Sequence, residues 1–280
     1  MHGLGAGTCS ESQQVGVCEN TECVEASEDM VVCVSSQFLC VWTADGVHAR
    51  VPCMYLAPAT SYHPHIAIVD GNTFAVSIGS TVEFSELTGG RALMDLPCCG
   101  ITTVSKGPGK SALVTTDLGA VWHVRCTNPG TAAERTRTSR LFSPCVIHGR
   151  ATGPATCAAY DGDLVYYYGT TQGLYRESIN DYPVCLVRGY VACVVSNAWG
   201  TAAVCNDVVC IMDKEGTVFR TGIRPPRMQP RLHLFRDLVL CGPCTINMHT
   251  LQISCVHACE YAICSNGSLS HRPWLMDADR

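Results

Sequence analysis

Several short segments carry residue types that can do chemistry. Val104-Ser105-Lys106-Gly107-Pro108-Gly109-Lys110-Ser111 ends like a phosphate-binding loop. Such a loop cradles phosphate on backbone N–H groups only when a glycine stands five positions before the second glycine and a helix follows. Val104 holds that position, and the following SALVTTD reads as a strand. Cys241-Gly242-Pro243-Cys244 has the letters of a dithiol redox site, whose first thiol is acidified where the motif caps a helix. Here Gly-Pro sits between two strand-like runs, as in an ordinary turn. Cys241, Cys244, Cys255 and Cys259, with His249, His257 and Cys264 close in sequence, could supply four zinc ligands as CxxC followed by CxxxC. In a strand, however, Cys255, His257 and Cys259 would share one face, and a thiol is also a small buried hydrophobe. No metal and no cofactor is the reading adopted. His63 and His65 flank Pro64 and read as a solvated loop. His48, His123, His148 and His233 sit near turns, without a nucleophile and carboxylate in a strand–turn–helix setting.

Basic charge has one focus. Arg220, Arg224, Arg227, Arg231 and Arg236 alternate with Pro225, Pro226 and Pro230, and no acid intervenes before Asp237. Proline keeps such a segment extended, and spaced guanidinium groups fork onto carboxylates or phosphates. These arginines are the candidate partner-binding residues, against a solvated loop as the bland alternative. The expected partner is another protein with an acidic surface, of the tubulin kind for example. Nucleic acid is disfavoured by a formal net charge of −5. Tyr166, Tyr167, Tyr168 and Tyr175 crowd one unit. Alternation puts Tyr166 and Tyr168 on one face and Tyr167 on the other, with one face expected in the core and the other free to anchor a partner.

The elements that must position these residues are strands. Val, Ile, Cys, Thr, Tyr and Phe alternate with polar residues from 31 onward, with turn signals every 8–12 residues and no sustained helical periodicity. FLCVWTADGVHARV at 38–51, IAIVDGNTFAVSIG at 66–79 and SALVTTDLGAVWHV at 111–124 share a strand–Gly turn–strand texture. It returns in LVYYYGTTQGLYRE at 164–177, VVCIMDKEGTVFRTG at 208–222 and EYAICSNGSLSHRP at 260–273. Aligning Gly46, Gly71, Gly119, Gly173, Gly216 and Gly267 gives a period of roughly 50 residues, a four-stranded unit, apart from a short first interval. The expected fold is all-β: a single β-propeller of about six irregular four-stranded blades over 31–275. An acidic segment, 1–30, precedes it and a tail, 276–280, follows. Whether 15–30 adds an outer strand to the first blade is left open. The acidic residues of 11–29 could fold over the arginine strip. Closure is expected to bring 31–53 beside 260–275. Loops are expected at 80–100, 127–145 (with TAAERTRTSRL inside it) and 220–236.

Segments 101–124, 190–222 and 251–273 resemble propeller repeats of the regulator-of-chromosome-condensation type. IAIVDGNTFAVSIGSTVEFSELTGGRALMDLP at 66–98 looks more like a WD-repeat blade, with Thr88-Gly89-Gly90 at its final turn but no Trp-Asp pair. The first resemblance implies a regulator of a small GTPase, but its Gly-Gln-Leu-Gly stretch is absent, so no residue here inherits that role. A propeller enzyme would need carboxylates at the channel mouth, and Asp70, Asp117, Asp161 and Asp213 lie in turns that could converge there.

Apolar residues make up 47% of the 280 and charged residues 15%, which excludes a disordered chain. The first residues lack the basic start and apolar run of a signal peptide, and no apolar run reaches the roughly 18 residues of a membrane span. Many of the 20 cysteines occupy strand-interior slots, Cys33, Cys40, Cys193, Cys205, Cys210 and Cys264 among them. Reduced thiols in an intracellular protein, cytoplasmic or cytoskeletal with the nucleus as alternative, are expected. The resulting functional expectation is a non-catalytic protein–protein interaction scaffold or a subunit of a larger assembly. Denatured without prior reduction, the chain should titrate close to 20 free thiols. A value several short of that would reveal disulfides.

Overall fold

The structure is a computed structural model. It describes residues 23–27, 30–34, 38–43, 48–53, 64–126, 137–142, 154–163, 165–178, 182–225, 232–241, 244–255, 259–263 and 269–273. All regular elements among them are strands. The first sheet runs β1 (Cys23–Ala26), β2 (Met30–Val34), β3 (Phe38–Thr43) and β4 (His48–Pro52). The second comprises β5 (His65–Ile68), β6 (Thr73–Ile78), β7 (Thr81–Glu86) and β8 (Arg91–Asp95). The third holds β9 (Ile101–Lys106), β10 (Ser111–Thr116), β11 (Val121–Arg125) and β12 (Arg137–Phe142). The fourth is built from β13 (Ala155–Tyr160), β14 (Val165–Thr170), β15 (Gly173–Ser178) and β16 (Val184–Arg188). In the fifth lie β17 (Val191–Asn197), β18 (Gly200–Cys205), β19 (Val208–Met212) and β20 (Val218–Arg220). β21 (His233–Phe235), β22 (Leu238–Cys241), β23 (Cys244–Asn247) and β24 (Ile253–Cys255) make the sixth, and β25 (Cys259–Ile263) pairs with β26 (Leu269–Pro273) as a two-stranded sheet.

Each four-stranded sheet is an antiparallel meander in chain order. The inner strands neighbour one another in succession: β1, β5, β9, β13, β17, β21. The fold is therefore an all-β, propeller-type arc of sheets around a common axis. Among the described residues there are six four-stranded sheets and the two-stranded one. Among the described residues, β25 and β26 pair with each other and not with 31–53. β1 answers the question left open about the acidic segment: it pairs with β2 and lines the axis, as an inner strand and not an outer one. Residues 1–22 lie outside the described residues.

The core is a series of slabs between successive sheets. Val32, Leu39 and Val41 meet Ile66, Phe74 and Val76 between the first two sheets, and Phe84 and Val82 meet Ile101, Ala112 and Val114 at the next interface. Leu113 and Val121 pack on Tyr166 and Tyr168, Tyr167 and Leu174 on Val194 and Met212, and Val204 and Ile211 on Val239 and Ile246. Middle strands such as β10, β14 and β18 are buried at every residue, so they carry no charge and show no polar–apolar alternation. Each Val, Leu or Phe so buried contributes about 1.5–3 kcal/mol over an exposed one. The same geometry settles the tyrosines: Tyr166, Tyr167 and Tyr168 are all buried, because both faces of β14 are covered, and none anchors a partner. Cys53, Cys98, Cys157, Cys193, Cys205, Cys210 and Cys241 are free thiols.

The expected loops give way to outer strands. The stretch 80–100 contains β7 and β8, and 127–145 contains β12. β8 alternates exposed and half-buried residues, so an outer strand shows weak apolar content and resembles a loop in sequence. The stretch 220–236 is mostly a connection, between β20 and β21. The aligned glycines occupy non-equivalent positions: Gly71 lies between β5 and β6, Gly119 between β10 and β11, and Gly216 between β19 and β20, while Gly46, outside the described residues, falls in sequence between β3 and β4. The short first interval follows from that mismatch. Gly119 is required where it stands. Its φ is +71°, and a Cβ there would come within 2.3 Å of the Pro154 Cβ.

One charge sits inside. Glu83 has a side chain 0% exposed, and its Oε1 accepts hydrogen bonds from Arg91 Nε at 2.6 Å and Ser85 Oγ at 2.8 Å. Removing the guanidinium strands a buried carboxylate. Arg91→Ala should therefore destabilise the fold by about 3 kcal/mol in urea unfolding, and Arg91→Ala with Glu83→Leu should recover most of that loss.

Candidate functional site

Each inner strand ends in a turn to the second strand of its sheet, and these turns surround the mouth of a central cavity of about 1430 Å³. Glu25, His65, Lys106, Tyr160, Ser196 and His233 are among its lining, one from each inner strand. The turns hold themselves with side-chain oxygens. Asp70 Oδ1 accepts from the N–H groups of Asn72 and Thr73 at 2.8 and 2.7 Å. Asp161 Oδ1 accepts from Asp163 and Val165 N–H, and Asn197 Oδ1 from Trp199 and Gly200 N–H. A short polar side chain that captures N–H groups two or three residues on closes such a turn without further help. Adjacent turns are linked: Lys110 Nζ lies 3.7 Å from Asp70 Oδ2, and Asn197 Nδ2 donates to the Arg236 carbonyl at 2.9 Å. Burial pushes the Asp70 carboxyl up, but the Asn72 and Thr73 N–H groups and Lys110 outweigh it and hold it below its ordinary value.

The carboxylates proposed for a channel mouth do not converge. Asp70 and Asp161 lie on the rim with their oxygens engaged in turns. Asp213 sits in the turn between β19 and β20, where its Oδ1 accepts from Thr217 N–H, farther from the axis. Asp117 belongs to a turn between second and third strands, at the opposite end of its sheet. The phosphate-loop segment is the β9–β10 hairpin: Gly107 N–H donates to the Ser111 carbonyl, and β10 follows in place of a helix. Sequence reasoning found no partner for His123, yet its Nε2 lies 2.7 Å from Ser111 Oγ. Ser111 is buried, and its hydroxyl proton goes to the Pro108 carbonyl at 2.6 Å. The imidazole must then donate to the serine oxygen, the reverse of nucleophile activation. Burial and Arg125 lower the His123 pKa.

Cys241 and Cys244 face each other across β22 and β23, and Cys244 faces Cys255 across β23 and β24. Burial pushes the Cys241 thiol up, opposite to the shift that arms a redox dithiol. No group of three or more His, Cys, Asp and Glu able to hold a metal occurs among the described residues. β24, which ends at Cys255, belongs to the sixth sheet, and β25, which begins at Cys259, to the two-stranded sheet. His257, the side chains of Cys255 and Cys259, and His63 lie outside the described residues. Burial drives Cys157 to about 11 and Cys193 to about 12, as expected of inert core thiols.

The arginines part company. Arg220 pairs across to Cys210 at the end of β20, and 221–223 run on beside Val209, at the Asn206–Asp207 end of the sheet. Arg224 is exposed on that connection, and Arg227 and Arg231 lie outside the described residues. Arg236 stands on the cavity rim, at the opposite end of the fold, a strand length of roughly 17–20 Å away.

Two residues that the sequence did not single out stand apart. Trp199 is 49% exposed on the β17–β18 turn, and the Asn-x-Trp-Gly spacing that holds it there could have marked it. Glu177 on β15 faces Tyr166 across the sheet. Its Oε2 is buried with no hydrogen-bond partner among the described residues, and desolvation pushes its pKa up to about 7. No sequence signal marks it, since its environment is made by β14.

No family model matches the chain, and no curated protein sequence matches it. Solved structures do. The β-propeller domain of Cps50 (Swd1) from Myceliophteria thermophila is similar at 11% identity, with a TM-score of 0.61 over 84% of this chain and 85% of that one. The WD40 repeats of RRP9 give 10% identity and 0.55 over 79% and 72%. Virginiamycin B lyase from Staphylococcus aureus gives 10% and 0.54 over 82% and 82%. At such identities the likeness shows the fold, a β-propeller. Among the described residues no helix is long and apolar enough to cross a membrane.

A raised carboxyl pKa favours the protonated form in the folded state, so its contribution is complete below the ordinary value of 4.5 and is lost as pH rises through about 7. The wild type should lose stability across that window. Glu177→Gln should flatten the slope and gain roughly 1–2 kcal/mol above pH 7, a figure reduced for the screening of a half-exposed group.

Proposed function

We propose that the protein is a non-catalytic interaction scaffold, a subunit of a larger protein assembly. One observation carries this reading: the rim groups best placed for chemistry are consumed in holding the rim. Asp70 and Asp161 close turns, Lys110 pairs with Asp70, and Ser111 gives its proton to a carbonyl. WD40 repeats and a named β-propeller domain among the structural neighbours support the same reading, whereas the lyase is a reminder that this fold can carry catalysis.

The docking surface proposed is the connection after β20, with Arg220, Arg224, Arg227 and Arg231 facing an acidic partner. Arg236 belongs to the other end of the molecule and is left out of it. Guanidinium groups keep their charge at any physiological pH and fork onto carboxylates, so this contact should weaken with salt. In affinity purification of the tagged protein at low salt, a stoichiometric set of protein partners is expected. An Arg224→Glu/Arg227→Glu/Arg231→Glu variant should lose those partners at least tenfold while melting as the wild type does. Recovery of the protein alone, or of a small GTPase captured only in its nucleotide-free form, would overturn the scaffold reading.

A further inference from the structure

Beyond the arginine connection, the rim carries a second hollow between the fifth and sixth sheets, of about 380 Å³. Its wall is Trp199, exposed on the β17–β18 turn, and His249, exposed on the β23–β24 turn. The rings meet edge to face, with centroids 6.1 Å apart and planes at 71°. Both are fixed by the same device. Asn197 Oδ1 accepts the Trp199 N–H at 2.9 Å, and Asn247 Oδ1 accepts the His249 and Thr250 N–H groups at 3.0 and 2.9 Å. Asn247 Nδ2 in turn donates to Asp237 at 2.6 Å, which ties this turn to the β21–β22 turn. The floor is apolar: Met212 and Met248 are buried there, and Gly200 lets the Met248 sulfur approach to 3.1 Å of where a Cβ would stand.

The open side is acidic. Asp213 and Glu215 line the hollow; Asp213 spends one oxygen on the Thr217 N–H, and Glu215 is exposed. Lys214, between them in sequence, also lines the hollow, but its ammonium turns to Asp163 on the neighbouring sheet at 3.5 Å, and its carbonyl accepts from Arg176, so two carboxylates face one already partnered cation. Preformed aromatic faces, a polarisable sulfur floor and two carboxylates form a receptor for a delocalised cation. An indole face attracts a cation within about 6 Å of its centroid, and a planar guanidinium can stack there while it forks onto a carboxylate.

We propose that this hollow binds an arginine side chain presented by an extended basic segment of a partner protein. Trp199 stacks on the guanidinium, Glu215 and Asp213 receive its N–H groups, and the methionines accept the aliphatic stem. The site lies at the other end of the fold from Arg220 and Arg224, so its success or failure is independent of that surface.

The test uses three fluorescein-labelled pentapeptides, acetylated and amidated, Gly-Ala-Xaa-Ala-Gly with Xaa arginine, lysine or citrulline. Titration of the full chain at low salt should give saturable binding of the arginine peptide, at least tenfold weaker binding of citrulline, which keeps the shape and loses the charge, and an intermediate lysine peptide. Trp199→Ala and Glu215→Gln should each weaken the arginine peptide at least fivefold. Both residues are exposed, so the melting temperature should not change. A loss of binding accompanied by a lowered melting temperature is checked with Trp199→Phe, which keeps an aromatic face and should retain most of the affinity. Equal binding of citrulline, tighter binding of lysine, indifference to both substitutions, or no saturation at millimolar arginine peptide would each overturn the assignment.

Discussion

The middle strands of each sheet are buried on both faces, and a strand without a solvent face tolerates no charge that lacks a partner. Much else follows from that. Such strands are built mainly of Val, Ala, Leu, Ile, Cys and aromatic residues, as in Ala202-Ala203-Val204-Cys205 and Leu113-Val114, with small hydroxyl residues such as Ser77, Thr115 and Thr201 buried among them. Glu83 is admitted into a middle strand because Arg91 reaches in from the outer strand and Ser85 completes its hydrogen bonds. The cysteines become intelligible on the same terms. Cys157, Cys205 and Cys210 fill the slab between the fourth and fifth sheets with thiols the size of small aliphatic groups, and burial keeps Cys157 protonated.

A molecule that uses its sheet faces for cohesion has three places left for recognition: the turns, the outer strands and the cavity on the axis. The turns here are stiff, because Asp70, Asp161, Asn197 and Asn247 close them with side-chain oxygens and leave little backbone freedom. A stiff turn makes a poor lid and a good platform. The entropy of ordering Trp199 or His249 is spent in folding, so little remains to be lost when something binds them. Glu177 stands outside this logic. It is a carboxyl held up by burial among tyrosines at a slab edge, which gives stability a pH dependence without a role at the rim.

How far the sequence could be read follows from the same burial pattern. Middle strands announce themselves through uncharged runs without polar–apolar alternation, such as Val165–Thr170, and the all-β class and the turn at Lys106–Lys110 were legible from them. Outer strands were not. Arg91–Asp95 alternates exposed and half-buried residues, and both it and Arg137–Phe142 carry the composition of loops. The glycine alignment misled because glycine is wanted wherever a hairpin needs positive φ, as at Gly119 and Gly216, and each four-stranded sheet has three hairpin connections where such a residue can fall. At the candidate site, the arginines were visible as a cluster in sequence but not as residues on opposite ends of the fold. A strand reverses the chain between Arg224 and Arg236, and proximity in sequence across a strand means separation in space. Trp199 and His249 are the converse case, fifty residues apart and brought edge to face by two unrelated turns.

The charge pattern of the rim bears on which cations can act there. Lys106, Lys110 and Lys214 are the lysines of the chain, and two of them sit near rim aspartates, Lys110 by Asp70 and Lys214 by Asp163. Pairs this exposed contribute at most about 1 kcal/mol each, so they add little to stability. Their effect is local: each of these ammonium groups stands beside one aspartate, and Glu215 is exposed to solvent. Arginine carries nearly all the remaining positive charge, and on the connection after β20 it stands a strand length from those carboxylates. Opposite charges held a strand length apart on one fold act on each other only weakly through screening solvent.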